Sequence, residues 1–129
     1  MKYANEREVW GKPIGTHQGL AHPLAKAKVE VELAKLMMQK AASLYDSGDD
    51  SADSGAVGES ANMAKYAAAE AAIAAADQAV QTHGGNGLAH EYGVGNLLLA
   101  SRVARIAPVS REMILNFVAQ FSLGLPKSY

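Results

Sequence analysis

The sequence predicts an all-α protein, an antiparallel four-helix bundle of up-down-up-down order with a short N-terminal helical stub. Of its 129 residues, 49% are hydrophobic and only 6% are aromatic, and alanine dominates the apolar content. This composition favours close-packed helices, because strands prefer β-branched and aromatic side chains. Apolar residues recur at intervals of three and four, and no strand-like alternation of useful length appears. The length fits a single domain, residues 1–129.

The composition also excludes several classes of protein. With 12 basic and 13 acidic residues, the net charge is -1, so no basic excess points to nucleic acid. The chain has no cysteine and therefore no disulfide, thiolate nucleophile or cysteine-based metal site. The N-terminus is too charged for a signal peptide, and no window is apolar enough for a membrane span. We expect a soluble protein without a metal, with the cytoplasm as its default location.

The N-terminal segment is expected to hold the last turns of a helix. Arg7 and Trp10 stand at helical spacing, and the segment from Gly11 to Gly15 should break the helix. A chain that begins inside a helix, without a capping residue ahead of it, suggests a piece of something larger. A complete gene product is the competing interpretation.

Two long helices with an acidic connection are expected next. The first should run from about His17 to Tyr45, on an amphipathic pattern. The polar segment from Asp46 to Gly55 is most simply an exposed loop, with a cation site as a weaker alternative. The second helix should run from about Val57 to Thr82. It has eleven alanines between Ala61 and Ala79, which let neighbouring helices approach closely.

A glycine-rich turn, Gln81–Gly87, should separate these helices from the last two. Its glycines permit positive φ and close approach by another chain or a ligand. A helix C-cap followed by a reversal is the alternative interpretation. The third helix is expected from about His90 to Ile106. The fourth should have Pro108 in its first turn and end at Gly124.

Two motifs carry a resemblance to a known family. The first reads Tyr3-Ala4-x-x-Arg7-x-x-Trp10-Gly11-x-Pro13-Ile14-Gly15-x-x-Gln18, and the second Gln81-Thr82-His83-Gly84-Gly85-Asn86-Gly87. They resemble Y-A-x-x-R-x-x-F-G-x-P-I-x-x-x-Q and Q-x-x-G-G-x-G of the acyl-CoA dehydrogenases. Ser101–Ile106 matches the end of the family's R-D-A-R-V-x-x-I segment. The motifs occur in the family's order, and the match covers nearly the whole chain.

This resemblance implies a flavin enzyme that removes two hydrogens from the α and β carbons of an acyl-CoA thioester. The family's subunit has an N-terminal helical domain and a middle β domain, both absent here, before the C-terminal helical domain. It implies FAD as cofactor in the assembled protein, acyl-CoA as substrate, and a homodimer, a homotetramer or a related dehydrogenase subunit as partner. Alone, the chain should be inactive. The competing function is a non-enzymatic helical module that acts only by binding.

The resemblance also nominates contacts to the adenosine–pyrophosphate part of FAD, often that of a neighbouring subunit. They are Arg7, Gln18, Gln81, Gly84 and Gly85. Trp10 stands where the family usually has phenylalanine, and its indole could contact the cofactor by packing on the flavin. An arginine suits a dianionic pyrophosphate, glycines let backbone N–H groups approach, and a glutamine can bind a hydroxyl or a ring edge. The competing roles are a surface ion pair for Arg7, core packing for Trp10 and helix-terminal polar positions for the glutamines.

The family's catalytic glutamate has no counterpart at the expected position. Many members carry it in a Y-E-G-T segment, where this chain has Ala107–Ser110, with Pro108 in place of the glutamate. Proline has no side-chain base, so this chain has no catalytic residue of that kind. The base could precede the first motif, the subunit could be a non-catalytic partner, or Glu112 could substitute weakly. Leu99 and Ala100 also replace the family's Arg-Asp pair.

Overall fold

The computed structural model describes residues 1–47 and 54–128 of the chain. The helices are α1 (Lys2–Glu6), α2 (Gln18–Asp46), α3 (Ser54–His83), α4 (Val94–Ile106) and α5 (Arg111–Phe117), and the strands are β1 (Glu8–Val9) and β2 (Lys12–Pro13). Short 3-10 turns cover Ile14–Thr16, Gly84–Gly87 and His90–Tyr92, and a π-helical turn, Val118–Ser122, follows α5. The predicted all-α class is confirmed.

The two long helices α2 and α3 pack side by side in opposite directions. Pro23, near the start of α2, lines the same groove as Gln78, near the end of α3. At the other end, Met38 shares a groove with Ala64. Alanines fill much of this interface, with Ala34, Ala64 and Ala71 all buried. Small side chains let the helix backbones approach closely, as the sequence predicts.

The last two helices both run antiparallel to α3. In α4, Gly95 lies near Gly87, and Arg105 pairs with Glu70 further back along α3. In α5, Arg111 lies 3.8 Å from Glu70, whereas Phe117 reaches the level of Gly58. The predicted alternation of direction therefore holds for α2, α3 and α4, and α5 departs from it. The extended backbone of Ala107 and Ser110 carries the chain onward along α3 without a reversal.

The predicted helix up to Trp10 is wrong beyond Glu6. Residues 8–13 form a small antiparallel hairpin in which Glu8 pairs with Pro13 and Val9 with Lys12. Trp10 and Gly11 occupy its turn with φ of +54° and +73°. Two consecutive residues with positive φ suit the twist of a two-residue hairpin turn, and glycine at the second position favours it. The helical spacing of Arg7 and Trp10 therefore does not place them on one helix face.

Helix boundaries in the last third of the chain also differ from those predicted. The fourth helix, expected to end at Gly124, ends at Phe117 and is followed by the π-helical turn Val118–Ser122. Pro108 lies before α5 rather than in its first turn, because Ser110 caps that helix by accepting a hydrogen bond from the Met113 backbone N–H at 3.3 Å. Helix α4 begins at Val94 instead of about His90, since Gly93 adopts φ +68° and ends the preceding 3-10 turn.

The acidic connection lies mostly outside the described residues, and with it the expected loop and the alternative cation site. Its last residue, Gly55, already belongs to α3. At its other end, Asp46 is the last residue of α2.

Few large apolar side chains are fully buried in the described part of the chain. Ile114, at 2% exposure, is the largest, and most other buried apolar residues are alanines. Large apolar side chains instead cover the outer faces of α2 and α4: Val29, Leu33, Leu36, Leu97, Leu99, Val103 and Ile106. No helix among residues 1–47 and 54–128 is long and apolar enough to cross a membrane.

Candidate functional site

Both sequence motifs meet at one end of the bundle. Helix α2 begins at Gln18 and α3 ends at His83, and their antiparallel packing brings these two ends together. Helix α1 docks on the same end, because Tyr3 packs against His83. The first motif and the glycine-rich turn, some eighty residues apart in sequence, therefore form a single surface. We call this surface the motif end.

A cluster of four side chains joins the two motifs. We call Tyr3, His83, Asn86 and Tyr92 the aromatic joint. The rings of Tyr3 and His83 stack with centroids 4.1 Å apart, and Tyr92 meets each of them edge-on at 6.0 Å. Asn86 Nδ2 donates to Tyr3 Oη at 3.0 Å and to Tyr92 Oη at 3.2 Å. The Tyr3 hydroxyl donates to the His83 carbonyl at a long 3.5 Å.

Arg7 is held through its backbone while its side chain is exposed. Its N–H donates to the carbonyl of Tyr3, and its own carbonyl accepts from the N–H of Ile14, both at 2.8 Å. Within the described part of the chain, no carboxylate lies within ion-pairing distance of its guanidinium. The expected alternative of a surface ion pair is therefore not formed there. The geometry leaves an arginine with all its side-chain donors available beside the aromatic joint.

Trp10 projects from the hairpin turn and is 88% exposed. Its ring meets His17 edge-on at 5.9 Å. The core-packing alternative for Trp10 is wrong for this chain, because a tryptophan so exposed contributes little to the core. A large apolar ring held out by a tight turn is available to another molecule.

The two glutamines of the motifs are both exposed. Gln18 is the first residue of α2 and Gln81 lies in the last turn of α3. Between Gln81 and the turn, Thr82 is buried and donates from Oγ1 to the carbonyl of Gln78 at 2.7 Å. Burial of Thr82 fixes the last turn of α3 so that the neighbouring Gln81 faces outward.

The positions in the turn differ in the physical reason for which they require glycine. Gly84 has φ +58°, which other residues rarely adopt. A Cβ on Gly87 would lie 2.6 Å from the Val80 carbonyl oxygen, so this position needs glycine for packing within the chain. Gly85 has neither constraint: its φ is not positive, and a Cβ there would meet nothing within 4 Å. The chain itself gives no reason for glycine at this exposed position.

The region of the missing glutamate lies far from the motif end. Glu70 of α3 pairs with Arg105, with Nε–Oε1 and Nη2–Oε2 distances of 2.8 and 2.9 Å, and lies 3.8 Å from Arg111. Glu70 is fourteen residues before Gly84, so this ion cluster is about 21 Å from the turn along α3. Pro108, in the connection that precedes Arg111, belongs to this distant region.

Glu112 is a poor candidate for a general base. It is exposed in the first turn of α5. Hydrogen bonding to its own backbone N–H, followed by its bond to Arg111 Nε at 3.1 Å, lowers the pKa of the Glu112 carboxyl. A carboxylate with a lowered pKa accepts a proton less readily, which argues against the suggested substitution for the glutamate.

Sequence reasoning did not single out the aromatic joint or Glu70. Tyr3, His83 and Asn86 are all part of the quoted motifs, so the signal was present in their position. Tyr92 and Glu70 had no comparable signal, because only the folded chain brings them beside their partners.

Comparisons with known proteins identify the sequences and structures to which this chain is similar. Residues 1–123 match the family model described as acyl-CoA dehydrogenase, C-terminal domain. Acyl-CoA dehydrogenase FadE12 of Mycobacterium tuberculosis (strain H37Rv) is 66% identical over 129 residues, which are 100% of this chain and 32% of that protein.

Solved structures give the same result. The structure of the glutaryl-coenzyme A dehydrogenase glutaryl-CoA complex is similar with a TM-score of 0.85 and 33% identity, over 98% of this chain and 31% of that one. The FAD complex of PigA is similar with a TM-score of 0.87 and 28% identity, over 96% of this chain and 30% of that one. The chain thus spans about a third of the length of these proteins. It belongs to the acyl-CoA dehydrogenase family and corresponds to the family's C-terminal domain.

Proposed function

We propose that this chain is the FAD-contacting and subunit-joining domain of a flavin-dependent acyl-CoA dehydrogenase, inactive on its own. The whole enzyme would remove two hydrogens from the α and β carbons of an acyl-CoA thioester. Two of the similar structures support the ligands: one is an FAD complex and the other holds glutaryl-CoA. The remaining two thirds of such a protein would complete the site.

The observation that carries this proposal is the set of unused groups at the motif end. Arg7 has no ion-pair partner in the described part of the chain, Trp10 is exposed, and Gly85 has open space where a Cβ would be. Within the chain, Trp10 makes only an edge-on contact with His17, and a Cβ at Gly85 would meet no other group within 4 Å. Together the three features fit a flat, anionic ligand, because they combine a cation, an aromatic surface and an approachable backbone.

In the proposed complex, the chain's own residues bind and orient the cofactor. Arg7 donates to the pyrophosphate, Gln18 and Gln81 offer donors and acceptors to hydroxyls or a ring edge, and Gly84 and Gly85 allow backbone approach. Bound FAD would supply the two-electron acceptor for the dehydrogenation. Pro108 cannot take the α proton, and the lowered pKa of Glu112 makes it a poor base, so in this proposal another part of the enzyme supplies the base.

The exposed apolar faces of α2 and α4 support the subunit-joining role. A protein of this size rarely leaves so many large apolar side chains in water unless another surface covers them. A symmetric homodimer or homotetramer, or a related dehydrogenase subunit, would cover them.

The decisive experiment uses a chimaera in which residues 1–129 replace the matching segment of FadE12, to which they are 66% identical. Arg7→Ala should weaken FAD binding about tenfold or more, because a charge-assisted hydrogen bond contributes roughly 1.5–3 kcal/mol. FAD titration followed by flavin fluorescence measures this.

The control is Lys40→Ala. Lys40 is an exposed cation near the end of α2 that lies opposite the motif end, outside the proposed cofactor site. FAD affinity should be unchanged in this variant. Equal affinity in Arg7→Ala and the parent chimaera would remove Arg7 from the site, and a parent chimaera that binds no FAD would refute the proposed function.

A further inference from the structure

The aromatic joint does more than attach α1 to the bundle. We propose that Tyr3 is a positioning residue: through His83 and Asn86 it fixes the position of the Gly84–Gly85 turn relative to Arg7. This inference rests on the proposed flavin site. Tyr3 itself does not contact the cofactor in this proposal. Its role is to fix the distance between two binding elements that are far apart in sequence.

Tyr3 is bonded to both binding elements. Its ring stacks on His83, the residue immediately before Gly84, and its hydroxyl accepts from Asn86, the residue immediately after Gly85. Its backbone carbonyl accepts from the Arg7 N–H. A shift of Tyr3 therefore moves Arg7 and the two sides of the turn together.

The glycine-rich turn has few other side-chain anchors in the described part of the chain. Glycine is the most flexible residue, and Gly84 and Gly85 follow one another at the exposed end of α3. The side chain of Asn86 bonds only to the hydroxyls of Tyr3 and Tyr92 within the described part of the chain. Without Tyr3, the entropy of these glycines favours a mobile turn.

The side chain of His83 is held in place by a hydrogen bond within α3. Its Nδ1 bonds to the carbonyl of Ala79 at 2.7 Å, one turn back in α3, which fixes the imidazole ring. Because the His83 ring is fixed on α3, the Tyr3 ring stacked on it holds α1 in a defined position relative to α3. The joint thus connects a long helix to a segment of only five helical residues.

The test combines a local measurement with a binding measurement in the FadE12 chimaera. Tyr3→Phe keeps the stacked ring and removes the hydroxyl. We expect amide hydrogen exchange in a peptide spanning residues 81–88 to become about fivefold faster, the effect of losing the bond from Asn86, because the bond to the His83 carbonyl is long and weak. FAD affinity should fall about fivefold as well, while exchange in the middle of α3 stays unchanged. Tyr3→Leu, which also loses the stack, should show larger changes of both kinds.

Tyr45→Phe is the matched control, because it makes the same chemical change at an exposed tyrosine in the last turn of α2. It should alter neither measurement. A double variant, Tyr3→Phe with Asn86→Ala, should bind FAD about as well as Asn86→Ala alone, since both changes break the Asn86–Tyr3 bond and the remaining bond from Tyr3 to the His83 carbonyl is long. A merely structural role for Tyr3 would give additive losses and faster exchange throughout α3.

Two results overturn the positioning role. One is an unchanged exchange rate in residues 81–88 of Tyr3→Phe, and the other is faster exchange there with unchanged FAD affinity. Failure of the proposed function gives a different result, because the parent chimaera would then bind no FAD. Amide exchange measured without flavin would still show whether Tyr3 orders residues 81–88.

Discussion

Replacing Gly87 by alanine should destabilise the fold, whereas the same change at Gly85 should not. A Cβ on Gly87 would lie 2.6 Å from the Val80 oxygen, 2.9 Å from its Cα and 3.1 Å from its carbonyl carbon. These atoms are all backbone, so no flexible side chain can move aside. Either the turn or the last part of α3 must shift.

The magnitude follows from two opposing effects. Overpacking of a tight contact costs about 1–3 kcal/mol. Alanine restricts the unfolded chain more than glycine does, which returns roughly 0.4–1 kcal/mol. We therefore expect Gly87→Ala to lower the free energy of unfolding by about 1–2 kcal/mol. For a chain of this length, that corresponds to a fall in Tm of about 5 °C.

Thermal unfolding of the 129-residue chain, followed by circular dichroism at 222 nm, is the assay. Gly85→Ala is the matched control, since a Cβ at that position meets nothing within 4 Å and its Tm should stay equal or rise slightly. In the FadE12 chimaera, Gly85→Ala should weaken FAD binding more than Gly87→Ala does. Equal Tm values for Gly87→Ala and the parent chain would refute the packing argument.

Two further predictions concern α5 and the exposed faces. The lowered pKa of Glu112 means that its charged form stabilises the fold above its ordinary pKa, and that this contribution is lost as the pH falls through the lowered value. Glu112→Gln should therefore reduce Tm at pH 7 and have little effect at pH 2; an equal loss at both pH values would contradict this. The 129-residue chain should sediment as a dimer or tetramer at micromolar concentration because α2 and α4 expose large apolar side chains, and a monomer would count against the subunit-joining role.

Much of the helical architecture could be predicted from local patterns. Helical periodicity and alanine content located the two long helices to within a few residues, because regular spacing and propensity act over many positions. The short elements were harder. The hairpin at Trp10 and Gly11 depends on two positive φ values, and the start of α5 depends on the Ser110 cap, and each of these rests on one or two residues.

In the candidate site, too, some features could be predicted from the sequence and others required the structure. The motifs contain Arg7, Gln81 and the glycines, so residue type and order were enough to nominate them. Burial and backbone geometry were needed to separate Gly87, which packs against Val80, from Gly85, which faces open space. The sequence alone cannot distinguish a glycine required by packing within the chain from a glycine that leaves room for a ligand, since the residue is the same in both cases.

The sequence by itself determined the helical class, the family and the absence of a side-chain base at Pro108, because these follow from composition, motif order and residue identity. Only the tertiary structure decided that the two motifs form one surface, through the stack of Tyr3 on His83 and the bonds from Asn86. The antiparallel packing of α2 on α3 and the docking of α1 bring together residues eighty positions apart. Such contacts depend on the path of the whole chain, which no local pattern specifies.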